Sequence, residues 1–282
     1  MGDQKKKVTK KSTSKKEVAE VIETKETTKK TRKAKKTTAR ENIVNSFKQL
    51  KWYEWIMIIV MIVIAGYELA MSVMAARPGS NVTSAIPVWL AFVNFISAVA
   101  GVVCITLCAR ASITNFVFGI VNTLAYIAFL AYSKIWGTML LEALVYIPSN
   151  CISWYLWSQF RDKENPQNTL AKKMDGMQIF STLTLIAAGT GLVYAALLYA
   201  GGDVPLFDAF TVTLGIAATF IQILRFREQY IWWAITDIVA IGMYISHFDP
   251  VYLTKKSIYL IVAILGFINW TKMQKARNKE NK

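Results

Sequence analysis

Eight runs of roughly 20 mostly apolar residues dominate the chain, at 52–74, 86–108, 112–132, 135–157, 177–200, 208–224, 229–247 and 252–273. Hydrocarbon offers no partner to a backbone N–H or C=O, so a run of this length must close its own hydrogen bonds as an α-helix. Charged residues make up only 18% of the 282 positions and crowd into the tails and short connections. Almost nothing remains for a soluble domain. The expected fold is an all-α integral membrane protein with eight transmembrane helices.

Residues 1–51 differ in kind. They hold 17 of the 33 Lys and Arg against six Asp and Glu, diluted with Thr and Ser, which reads as a disordered basic tail. No aromatic residue interrupts it before Phe47. Attraction to an anionic cytoplasmic leaflet is therefore the simpler reading, and no nucleic-acid partner is expected. The opening MGDQKK lacks the Ser or Thr that N-myristoylation wants at the sixth position, and no cleavable signal peptide is expected before the first run. With the N-terminus inside, the cytoplasmic segments after the tail hold Arg110; Arg161, Lys163, Lys172 and Lys173; Arg225 and Arg227; and Lys272, Lys275, Arg277, Lys279 and Lys282. The outside loops hold Arg77, Lys134, Lys255 and Lys256. The imbalance puts both termini in the cytoplasm of a multi-pass plasma-membrane (cell-membrane) protein.

Cys104, Cys108 and Cys151 fall inside apolar runs, and the single histidine, His247, sits near the end of one. Neither a disulfide framework nor a metal set is indicated, and no cofactor is expected. Cys104 and Cys108, one turn apart, read as small residues packing between helices. Sliding the chain against itself reveals a repeat at an offset of 115, which sets Arg110 on Arg225, Phe118 on Trp233 and Asn122 on Asp237. With one residue inserted the offset becomes 116, and Trp136 falls on Tyr252, Thr138 on Thr254 and Trp154 on Trp270. The second to fourth spans read as one copy and the sixth to eighth as another. Three spans plus a connector leave both copies pointing the same way, with a site expected between them near the midplane. The expected organisation is a disordered basic cytoplasmic tail (1–51), a peripheral first transmembrane helix and loop (52–85), a first three-helix repeat (86–158), a connector with the fifth helix (159–203), a second repeat (204–273) and a basic cytoplasmic tail (274–282).

Polar residues inside apolar runs are costly and mark either helix cross-links or a cavity. In the third span Asn115 and Asn122 share one face, with Gly119 between them; in the seventh, Tyr230, Trp233, Asp237 and Tyr244 do the same. The fourth span adds Glu142, Tyr146, Ser149 and Asn150 around Pro148, the sixth Asp208, Thr211 and Gln222, and the eighth Tyr259 and Asn269. Asp208 and Asn269 lie near helix ends, where capping competes with a cavity role. Trp52, Trp89, Trp136, Trp154, Trp157 and Trp270 read as interfacial belt anchors. Glu142 is either paired with a neighbouring helix or carried protonated. An indole face at Trp233 stacks well on a flat cationic ring, and a carboxylate or amide one turn on accepts or donates to sugar hydroxyls. No nucleophile–base pair is legible, so an enzyme is not expected.

At these residues the sequence resembles the Pnu family of vitamin transporters, most closely its nicotinamide riboside branch, over roughly residues 90–271. The stretches that carry the likeness are NFVFGIVN in the third span; IWGTMLLEALVYIPSNCISWYLW in the fourth, with Ser153 in place of a glycine; and FDAFTVTLGIAATFIQILRFREQYIWWAITD in the sixth and seventh. The branch's aromatic signature, Trp-x-x-Trp followed four residues later by Asp or Asn, matches Tyr230, Trp233 and Asp237, so tyrosine stands in the first position; Trp232 lies one position off. Glu142 stands where an amide is expected.

This resemblance implies two three-helix bundles joined by a connecting helix, in the 3+1+3 parallel arrangement of SWEET-type sugar transporters, usually as a homotrimer in the lipid bilayer. It implies facilitated diffusion of nicotinamide riboside for NAD biosynthesis, with a cytoplasmic nicotinamide riboside kinase trapping the vitamin. Trp233, Asp237, Asn122, Tyr230, Glu142, Asn150, Asn115, Thr211, Gln222 and Tyr259 are the expected substrate-binding residues. Thiamine or riboflavin transport within the same family, and proton-coupled nucleoside transport through Asp237 or Glu142, stay open at this stage.

Overall fold

A computed structural model of the protein describes residues 38–81, 86–132, 136–199, 205–245 and 250–280. The tail over 1–37, Lys134, His247 and the side chains of Trp136, Thr138, Asp208, Tyr244 and Tyr252 lie outside the described residues. The chain forms two units, residues 1–41 and 42–282. In the first, Thr38 and Glu41 exchange hydrogen bonds between side chain and backbone at 2.8 and 3.3 Å, a capping box that starts helix α1 (Ala39–Lys48). The expectation of disorder over 1–51 is thereby corrected at its C-terminal end. Within the second unit Ser46 is fully buried, its hydroxyl 2.7 Å from Ser112 Oγ and 2.9 Å from Thr114 Oγ1. Phe47 packs into the core and Leu50 is buried in it, so the apolar spacing that begins here outweighs the charged composition upstream.

Helices α2 (Trp52–Ala75), α3 (Val88–Ala109) and α4 (Asn115–Tyr132) follow, each beginning within three residues of the expected span. Glu54, buried in the first turn of α2, accepts from the Lys51 backbone at 2.7 Å and from Arg110 Nη2 at 2.7 Å. That pair ties α2 to the turn after α3, and each charge satisfies the other away from water. The fourth span is interrupted: α5 (Trp136–Leu141) runs into a π-helical turn, Glu142–Tyr146, and then α6 (Ile147–Gln159). Proline at 148 has no N–H to continue the ladder, and the Ile147 N–H instead reaches Glu142 O, one residue beyond the usual carbonyl. Helix α7 (Gly176–Tyr199) is exposed along most of its length, with Ile186 buried against the rest. Helices α8 (Pro205–Ile223), α9 (Gln229–Ile245) and α10 (Pro250–Glu280) complete the chain. Among the described residues five helices are long and apolar enough to cross a membrane: α2, α3, α4, α7 and the Leu253–Asn278 stretch of α10. Helix α8 carries a shorter apolar stretch, Ala209–Ile223.

The turns after α3 and α8 are built alike. Ala111 and Arg225 adopt the left-handed conformation (φ 56° and 65°), and their N–H groups donate to Cys108 O and Gln222 O at 2.8 and 2.9 Å. The next residues, Ser112 and Phe226, return to Leu107 O and Ile221 O, and each forms an isolated bridge with the 168–172 segment. Equivalent positions lie 114 apart, one fewer than the offset read from sequence. Ala111, not Arg110, is the counterpart of Arg225, and in this register Asn122 corresponds to Thr236 rather than Asp237.

A buried aromatic row joins the two turns. Trp157 Nε1 on α6 donates to Gln222 O at the end of α8 (3.0 Å), and Trp270 Nε1 on α10 donates to Cys108 O at the end of α3 (3.1 Å). Cys108 and Gln222 are equivalent in the turns, so each indole reaches the matching carbonyl on the other side. The two indoles meet at 5.4 Å between centroids; Phe116 packs edge-on against Trp157 and Tyr230 edge-on against Trp270. Trp157 and Trp270 are 0% exposed and are core residues, which corrects their reading as belt anchors; Trp52, Trp89 and Trp154 are exposed, as a belt requires. By these contacts Trp157, not Trp154, pairs with Trp270, at an offset of 113 rather than 114. Replacing either indole with phenylalanine removes one such bond, and Trp157→Phe and Trp270→Phe are each expected to cost about 1–3 kcal/mol from hydrogen bond and packing together. Melting temperatures of the two purified variants should fall by similar amounts; a drop confined to one would show that the two contacts are not equivalent.

Candidate functional site

Small residues let the helices of the second unit approach closely around a set of polar side chains. A Cβ at Gly101 would lie 3.0 Å from Asn122 Oδ1, and one at Gly266 would lie 2.5 Å from the Tyr230 ring. Between α3, α4, the α5–α6 helix with its π turn, α8, α9 and α10 lies a cavity of about 430 Å³, the size of small-molecule sites.

Nine of the ten expected residues line it: Trp233, Asp237, Asn122, Tyr230, Glu142, Asn150, Thr211, Gln222 and Tyr259. The tenth, Asn115, does not. It is fully buried at the start of α4, where its Nδ2 donates to Ser112 O at 2.6 Å and its Oδ1 faces Cys104 Sγ, so it closes its own turn. Asn269 also lies outside the cavity and donates to Ala109 O at the end of α3, the capping alternative.

The charged groups of the cavity gather around Asp237 and Glu142. Asp237 is buried, and its Oδ1 is held at 3.1 Å by Lys256 Nζ. Glu142 accepts from Thr123 and lies near Lys255 and Lys256. Lys255 sits 5.7 Å from the Tyr126 ring centroid and 5.8 Å from that of Tyr259, in cation–π range. Asn122 Oδ1 accepts from Ser97 at 3.0 Å, and Asn150 Nδ2 returns to Tyr146 O. Towards the turns, Cys108, Gln222, Gln229 and Tyr230 bound the space. Tyr230 donates to Cys108 O at 2.8 Å and leans on Trp270. Its ring therefore faces the cavity while its hydroxyl is spent on α3, a link its counterpart Phe116 has no oxygen to make. Trp233 stands half-buried midway along the cavity face of α9.

Sequence reasoning missed Lys255 and Lys256, which it counted as an outside loop. Helix α10 starts at Pro250, so both lysines are helical and reach the cavity. The available signal was Asp237 itself, since a carboxylate in an apolar run calls for a cation. Gln229, Thr236 and Tyr126, also on the lining, fall at span ends or among apolar neighbours and carry no such signal.

The family model described as nicotinamide mononucleotide transporter matches residues 91–272. The chain belongs to this family. Similar members include the nicotinamide riboside transporter PnuC of Haemophilus influenzae, 29% identical over 67% of this chain and 82% of that one. The protein of the same name from Neisseria mucosa is 30% identical over 66% of this chain and 73% of its own length. A crystal structure of the vitamin B3 transporter PnuC superposes with a TM-score of 0.63 at 23% identity, covering 80% of this chain and 94% of that one, which shows a shared fold. As a member of this transporter family with several membrane-length apolar helices, the chain is a multi-pass membrane protein.

The Asp237–Lys256 pair yields a separable prediction. Asp237→Ala strips a half-buried ammonium of its carboxylate and should destabilise by about 3 kcal/mol, the low end for a broken buried pair because the Lys256 side chain is 17% exposed. The double variant Asp237→Ala/Lys256→Met should melt nearer to wild type than Asp237→Ala does. A double variant that melts as low as the sum of the two single changes would mean the two groups are not coupled.

Proposed function

We propose that the chain carries nicotinamide riboside across the membrane by facilitated diffusion, as a transporter and not an enzyme. The observation that carries this reading is the meeting of Trp233, Asp237 and Asn122 on one cavity in a chain of this family. An indole face suits a cationic pyridinium, worth about 0.5–2 kcal/mol depending on desolvation. Asp237 with Lys256, and Asn122 with Ser97, offer the acceptors and donors that ribose hydroxyls need. The names of the relatives, nicotinamide riboside transporters, support the same ligand.

The architecture we propose is eight spans: a peripheral α2, then α3, α4 and α5–α6 as one parallel copy, α7 as connector, and α8, α9 and α10 as the second, in SWEET-like order. The recurrent turns and reciprocal indoles support it. Alternating access then proceeds by rocking one copy against the other around the central site. Both termini face the cytoplasm in this reading, three chains associate as a homotrimer, and a cytoplasmic nicotinamide riboside kinase removes the product and keeps the gradient inward.

Ligand binding tests the substrate. Nicotinamide riboside, thiamine and riboflavin are titrated into purified protein by calorimetry and tryptophan quenching. Saturable binding of the first is expected, weakened at least about tenfold by Trp233→Ala. Preference for thiamine or riboflavin would move the substrate within the same architecture, and binding unaffected by Trp233→Ala would remove the site assignment.

A further inference from the structure

Gln229 stands out among the cavity residues. It is 0% exposed, it lines the cavity, and neither its Oε1 nor its Nε2 has a hydrogen-bond partner among the described residues. A buried carboxamide left unpaired is costly, and native structures rarely keep one without a use. The residue equivalent to it in the turn register is Asn115, whose amide is satisfied by Ser112 O at 2.6 Å within its own turn. Glutamine is one methylene longer, and its amide passes beyond that local carbonyl. Two related positions thus carry the same functional group, closed on itself in one copy and open in the other.

Gln229, Trp233 and Asp237 follow one another at four-residue steps on α9, and all three line the cavity. Each step advances about 6 Å along the axis, the scale of one ring with its substituent. The order amide, indole, carboxylate mirrors the order carboxamide, pyridinium, ribose along the proposed ligand. We propose that Gln229 is the residue that reads the ligand's carboxamide, its Oε1 accepting from the amide N–H and its Nε2 donating to the amide carbonyl. This rests on the nicotinamide riboside reading and adds a specificity to it. A carboxylate in place of the carboxamide has no N–H to give and sets an anionic oxygen against Gln229 Oε1. The site therefore selects pyridinium ribosides with an amide over those with an acid, as sites built on paired hydrogen bonds do.

The test is calorimetric titration of purified full-length protein with nicotinamide riboside and with nicotinic acid riboside, for wild type, Gln229→Ala and the near-isosteric Gln229→Met. Wild type should favour the amide at least about tenfold. Both variants should lose about tenfold in affinity for the amide while the acid changes little, so that the preference collapses. Because the acid serves as an internal reference in the same sample, a general folding defect would weaken both ligands together and leave the ratio in place. An unchanged ratio in Gln229→Met, with nicotinamide riboside still bound by wild type and lost in Trp233→Ala, overturns this inference and leaves the proposed function standing. No binding of nicotinamide riboside by wild type overturns both.

Discussion

Two indole N–H groups, each donating to a backbone carbonyl at the end of a helix in the other half, hold the second unit together where its cavity ends. The carbonyls of Cys108 and Gln222 belong to the last turns of α3 and α8, where intrahelical partners run out. The backbone of Ala111 and Arg225 already donates to these carbonyls, and Trp157 and Trp270 each add a further donor from the other half, with the bulk that fills the space between. Phe116 and Tyr230 then close on the indoles edge-to-face, the arrangement aromatic quadrupoles favour. The positions of α4 and α9, which carry Asn122, Trp233 and Asp237, follow from this packing.

The departures from symmetry concentrate at the cavity. Phe116 has no hydroxyl where Tyr230 has one, and Asn115 satisfies itself where Gln229 does not. Helix α4 shows Asn122 to the cavity; α9 shows Trp233 and Asp237, with Lys256 brought from α10. The proposed ligand, with a flat cationic end and a hydroxylated end, has no two-fold symmetry, and a site for it has no need of one either. The aromatic row below keeps the shared geometry while the residues above diverge.

Charge is placed under similar constraints. Glu54 and Arg110 neutralise each other beneath α2, and Asp237 and Lys256 do so beside the cavity. In a low-dielectric interior neither member is tolerable alone, so each pair fixes the relative position of two helices as well as its own charge. At the cavity this also means that the carboxylate on its wall is already oriented by its cation.

Periodicity and composition determined the apolar helices and their approximate bounds, and with the family resemblance they picked out ten residues of which nine line the cavity, because apolar length and polar intrusions are local properties of a chain. The register between the halves was not legible: identity is thin, and the offset of 114 became visible only through backbone hydrogen bonds at Ala111 and Arg225. Nor could the runs distinguish an indole at the interface from one in the core, since both occupy helix ends; Trp157 and Trp270 are buried because another helix covers them. Asn115 and Gln229 illustrate the same limit at the site. Each reads as a polar residue at the start of a span, and only the folded chain decides that one amide meets its own turn and the other faces the cavity, because side-chain length matters only once the distance to a partner is set.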